Sequence, residues 1–91
     1  NANLPPPRMT EVTVFIGVGS NLDDPEAQVR SALRELDDVP HTRVSALSAL
    51  YRSAPMGPQD QPDYVNAVAQ LQTVLAAEQL LDALQAIEQA H

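Results

Sequence analysis

Tyr64 and Asn66 stand two residues apart where an alternation of polar and apolar residues begins, so a strand would turn both to one face. An aromatic plane beside a fixed amide suits a flat heteroaromatic ligand, because the ring stacks while the amide reads a donor–acceptor edge. Residue types alone favour a plainer role, a packed tyrosine and a loop-capping asparagine. The residues before the pair change that balance. Tyr51 to Asn66 reads YRSAPMGPQDQPDYVN, a polar stretch broken by Pro55, Gly57, Pro58 and Pro62. Most hairpins turn in about two to five residues, and a longer loop is usually functional or disordered.

Three other groups invite chemistry. Gly17-x-Gly19-Ser20-Asn21 has the look of a phosphate loop, yet it is neither GxGxxG nor a Walker A loop, since no lysine follows. On its own it reads as a tight strand-to-helix turn. Gln85 and Glu88 lie three apart on the polar side of the last helical stretch, which as bare chemistry is a solvated face. Asp23, Asp24, Asp37, Asp38, Asp60, Asp63 and Asp82 form no convincing metal pair. His41 and His91 lack partners at metal-ligand spacing.

Composition narrows the classes. The 91 residues make one small domain at most. A formal charge of −7 argues against nucleic acid and against an anionic membrane surface, both of which need clustered Lys and Arg. The absence of cysteine removes thiol chemistry and fits a cytoplasmic setting. No apolar run reaches the ~18 residues of a membrane helix.

Elements must position these residues. Residues 1–10 (NANLPPPRMT) have no periodicity and read as a disordered tail or remnant, leaving 11–91 as the folded part. Val12 to Val18 alternates as a strand and breaks at Gly19-Ser20-Asn21. Asp24 offers an N-cap, Pro25 suits the first helical position, and Val29, Ala32, Leu33 and Leu36 form one stripe. That helix should end near Leu36 to Asp38. Arg43 to Tyr51 alternates again, with Val44, Ala46 and Leu50 opposite Leu47 and Tyr51. Tyr64 to Val74 is a further strand, with Val65, Ala67, Ala69 and Leu71 on its apolar face. A last helix begins near Ala76, with Ala77, Leu80, Leu81, Leu84 and Ile87 as its stripe. The order β-α-β-β-α is most of a split β-α-β unit.

FIGVGSNL (Phe15 to Leu22) and the run Gly57-Pro58-Gln59-Asp60-Gln61-Pro62-Asp63-Tyr64-x-Asn66 together resemble the 6-hydroxymethyl-7,8-dihydropterin pyrophosphokinases of folate biosynthesis. The resemblance covers residues 12 to 91, roughly half of that family's domain. It implies an α+β, ferredoxin-like fold, with the remaining strands following this stretch. It implies transfer of a pyrophosphoryl group from ATP to the pterin hydroxymethyl group. Ser53, Ala54, Met56, Tyr64 and Asn66 match its pterin-binding positions, and Gln85 and Glu88 its ATP-facing ones. Its magnesium ligands and arginine-rich segment fall beyond His91, so residues 1–91 are expected to hold no catalytic or metal-binding residue and to be inactive alone. Pterin and ATP are the implied ligands, with no nucleic acid or membrane. The first strand's outer edge is expected to lack a partner, inviting self-association or a companion fragment. A non-catalytic ferredoxin-like binding module is the alternative.

Overall fold

The computed structural model describes residues 10–55, 57 and 61–90. Met56, the centre of the proline-rich loop (58–60), residues 1–9 of the tail and His91 lie outside them. The elements run β1 (Val12–Ser20), α1 (Pro25–Asp37), β2 (Thr42–Leu47), β3 (Tyr51–Ser53), β4 (Tyr64–Thr73) and α2 (Ala77–Ala90). All strand pairs are antiparallel. β4 is central: β1 follows its whole length on one edge, and β2 and β3 share the other. β1 ends the sheet, paired with β4 alone among the described residues.

The strand alternations are realised in burial. Val12, Val14, Ile16 and Val18 are partly buried while Thr13, Phe15, Gly17 and Gly19 are exposed. Val65, Ala67, Ala69, Leu71 and Thr73 are buried on β4. Both helices pack on that face, leaving the other face of the sheet open. The core joins Leu36, Val39, Ala69, Leu71, Leu75 and Leu80, with Val29, Val65 and Ala67 in a second cluster beside it. Thr73 is wholly buried, and its hydroxyl lies 2.7 Å from that of Thr42 and accepts the Leu75 amide at 3.1 Å. A buried hydroxyl needs such partners.

Four details depart from the sequence expectation. First, β1 continues through Gly19 to Ser20, so the glycines are not the turn. The reversal falls on Asp23 and Asp24, with φ of 28° and 55°; Asp visits this left-handed region more readily than most side chains. Asp24 still caps α1, accepting the Ala27 amide at 3.4 Å. The helix ends where expected, and Asp37 accepts the Val44 amide at 3.0 Å, tying its end to β2.

Second, the stretch from Arg43 to Tyr51 is two strands, not one. Between them Ser48 keeps its hold on β4: its amide donates to the Val68 carbonyl at 2.9 Å, and its hydroxyl accepts the Val68 amide at 2.8 Å. Third, the register slips at Ser45, so Val44 faces Leu71 but Ala46 faces Gln70 and Leu47 faces Ala69. One extra residue swaps the faces beyond it. Leu47 therefore joins Val44 on the helix side, and Ala46 does not.

Fourth, the core-facing stripe of α2 is Leu80, which is buried, with Ala83, Leu84 and Ile87 partly buried, while Ala77 and Leu81 are exposed. Spacing of i, i+3, i+4, i+7 fits both Leu80 and Ala77 as a start, and contact with the sheet selects Leu80. The Gln79 side chain accepts the Ala76 amide at 3.1 Å and caps this helix.

These positions predict a contrast. Leu71→Ala should cost about 2–5 kcal/mol of unfolding free energy through lost burial and the cavity left behind. Leu81→Ala, at a residue 55% exposed, should change it by no more than about 0.5–1 kcal/mol. Urea titration of both variants checks this, and equal losses would contradict the placement of α2.

Candidate functional site

The open face of the sheet is built around Asn66. Residues directly opposite in an antiparallel pair share a face. Asn66 faces Gly19 on β1 and Tyr51 on β3, so these three form one row across the sheet. Ser53 faces Tyr64 in the next row of β3 and β4. Tyr64, Asn66, Ser53 and Tyr51 thus lie on the same side, as the alternation of β4 requires. Arg52 faces Val65 and points to the helix side, away from this group.

The Asn66 carboxamide is clamped. Its Nδ2 donates to Ser53 Oγ at 2.8 Å and to the Tyr51 carbonyl at 3.4 Å. Its Oδ1 lies on the Gly19 side, so close that a Cβ there would stand 2.8 Å away. With both amide hydrogens committed to β3, the oxygen is the part of the group left to accept an N–H from a ligand. No hydrogen bond to Oδ1 is made among the described residues.

Tyr64 opens β4 and is 36% exposed, an aromatic side chain of the kind on which a planar ligand stacks. Just ahead of it, the Pro62 carbonyl accepts from Asn21 Nδ2 at 3.4 Å. The G-S-N stretch therefore braces the entry to β4. Ala54 follows β3 and is exposed. Met56 lies outside the described residues, so the expected pterin set is seen in four of its five members.

Gln85 and Glu88 occupy the exposed side of α2, apart from the open sheet face. They border a cleft of about 690 Å³ between α1, α2 and the flank of β1. Its walls include Ile16, Val18, Gly19, Leu36, Tyr64 and Leu84. Tyr64 and Gly19 line this cleft while Asn66 and Ser53 do not, so the two candidate groups meet at Tyr64 and Gly19. Among the described residues, no three His, Asp or Glu side chains converge as a metal site.

Sequence reasoning missed Gly19 and the Tyr51 carbonyl. Alternation puts Gly19 on the exposed face of β1, but its place beside Asn66, 47 residues on in the chain, depends on the register between β1 and β4, which no local pattern encodes.

The sequence profile described as 7,8-dihydro-6-hydroxymethylpterin-pyrophosphokinase matches residues 15–91, which include Gly19, Ser53, Tyr64, Asn66, Gln85 and Glu88. The chain belongs to this pyrophosphokinase family. It is similar to 2-amino-4-hydroxy-6-hydroxymethyldihydropteridine pyrophosphokinases from three bacteria. Identity is 48% over 77 residues to that of Haemophilus influenzae, covering 85% of this chain and 48% of the relative. It is 53% over 75 residues to that of Pseudomonas aeruginosa, covering 82% and 46%. It is 56% over 77 residues to that of Pseudomonas putida, covering 85% and 63%. The chain thus spans about half the length of the curated relatives it matches. Relatives so named do not favour a non-catalytic module.

The clamp makes a prediction of its own. Ser53→Ala removes one acceptor from Asn66, a loss of about 0.5–1.5 kcal/mol for a single hydrogen bond. The fold should persist, while the Asn66 side-chain amide becomes more mobile and exchanges faster with solvent by NMR. An unchanged amide signal would show that Ser53 does not hold it.

Proposed function

We propose that the protein carrying this chain transfers a pyrophosphoryl group from ATP to the hydroxymethyl group of 6-hydroxymethyl-7,8-dihydropterin, and that this stretch holds the pterin. The hydroxymethyl oxygen attacks the β-phosphorus. The bond between that phosphorus and the α,β-bridging oxygen breaks, AMP leaves, and the hydroxyl proton is released. The observation that carries the reading is the clamped Asn66 carboxamide beside the exposed Tyr64, in a chain of this family.

Tyr64 stacks on the pterin ring and Asn66 Oδ1 accepts from its N–H edge. Ser53, Ala54 and Met56 line the approach from the loop. Gln85 and Glu88 face the nucleotide from α2, an amide and a carboxylate suited to its hydrogen-bonding groups.

Phosphoryl chemistry is carried by positioning and by neutralising charge on the phosphates. The family implies Mg²⁺ for this. The described residues offer no ligand set for it, and Arg52 points away from Asn66. The resemblance puts both the metal ligands and the arginines outside residues 1–91, so these residues alone should form no AMP. The sheet order with both helices on one face supports a ferredoxin-like arrangement. In that arrangement further chain would lie along β1, either more of the same protein, a companion fragment or a second copy.

In the full-length protein, Asn66→Ala should weaken pterin binding by ~10–100-fold, because a site built to hydrogen-bond its ligand loses the reader of its edge. Binding of a non-hydrolysable ATP analogue should change little. Calorimetric titration of each ligand decides the matter. Equal losses would sink the pterin assignment, and failure of the full-length protein to form AMP and pyrophosphorylated pterin would sink the reaction.

A further inference from the structure

We infer that Gly19 is a positioning residue: its missing side chain is the seat of the Asn66 carboxamide, which sets the orientation in which Asn66 meets its ligand. The inference rests on the pterin reading above for the identity of that ligand, and on geometry for the rest.

β1 carries two glycines on the same exposed face, two residues apart and each without positive φ. Neither serves a turn, so backbone freedom explains neither. Their surroundings differ. A Cβ built on Gly17 meets nothing within 4 Å. A Cβ built on Gly19 stands 2.8 Å from Asn66 Oδ1, with the Val65 carbonyl at an ordinary 3.7 Å. The contact is inside van der Waals distance, so a side chain at residue 19 and the present Asn66 orientation exclude each other.

The amide has few ways to yield. Turning it over would bring Nδ2 to the crowded place and set Oδ1 against the Tyr51 carbonyl, oxygen to oxygen. Swinging it away gives up the donations to Ser53 Oγ and the Tyr51 carbonyl. The crowded atom ends a side chain and is not backbone, so the sheet survives and the carboxamide moves. Gly19→Ala therefore misplaces Asn66 Oδ1, the atom that reads the ligand in this proposal. Three strands contribute to the clamp: β1 gives room, β3 gives acceptors and β4 gives the amide.

The two glycines supply test and control. Full-length Gly19→Ala and Gly17→Ala are compared by calorimetric titration with 6-hydroxymethylpterin and with a non-hydrolysable ATP analogue. Gly19→Ala should weaken pterin binding ~10-fold or more and Gly17→Ala should leave it within ~2-fold; both glycines also line the cleft beside Gln85 and Glu88, so binding of the analogue should respond alike in the two variants. The NMR signals of the Asn66 side-chain amide, recorded without ligand, should move in Gly19→Ala and stay in Gly17→Ala. In an Asn66→Ala background, Gly19→Ala should cause no further loss of pterin binding, because the group it displaces is gone. The double variant lacks the crowded atom, so its folding where Gly19→Ala alone unfolds would itself trace the loss to this contact.

Wild-type pterin affinity with unmoved Asn66 signals in Gly19→Ala would overturn the inference. So would equal losses of pterin binding in the two glycine variants, or an undiminished effect of Gly19→Ala in the Asn66→Ala background. If the wild-type protein binds no pterin, the functional reading falls, and the ligand-free Asn66 signals still decide whether Gly19 seats the amide.

Discussion

Val65, Ala67, Ala69 and Leu71 must all face the helices, and that constraint decides where Tyr64 and Asn66 point. Side chains on a strand alternate with a period of two, so burying the first set exposes the second. A slip of one residue would put Asn66 against α1 and leave leucine in water. The apolar core therefore fixes the orientation of the polar site. β4 is paired along both edges, which gives the site a stiff floor.

Orientation alone does not make a reader of ligands. An asparagine on an open sheet face has a freely turning amide, and its oxygen and nitrogen then offer no defined pattern. Here β3 accepts from the nitrogen and β1 leaves room for the oxygen. β3 is only three residues long, yet those residues put the Tyr51 carbonyl and the Ser53 hydroxyl within reach. The break at Ser48–Leu50 lets β3 start afresh after the bulge at Ser45, and Ser48 holds the interruption to β4.

The candidate nucleotide residues have a different support. Gln85 and Glu88 stand on a helix whose buried stripe is anchored by Leu80 alone among its fully buried residues. Tyr64 and Gly19, which line the cleft beside them, also stand next to Asn66 on the sheet. With a formal charge of −7, the chain repels phosphates overall, so the cations a triphosphate needs are not a property of this stretch.

Much of this was legible in the residues. Periodicity gave the two helices, the faces of β1 and β4, and the shared side of Tyr64 and Asn66, because those depend on local spacing and burial. Asp24 and Pro25 marked the start of α1 for the same reason. The family showed in Phe15–Leu22 and in the string around Tyr64, since a long specific run of residue types identifies kinship without any geometry. Tertiary structure alone decided the rest. The bulge at Ser45 moved Leu47 to the helix side, α2 turned Ala83 toward the core instead of Ala77 and Leu81, and Gly19 lies against Asn66 within β1 instead of in a turn. Each depends on which residues meet across the sheet or between layers. That register is set by the packing of elements far apart in the chain, and no window of sequence contains both partners.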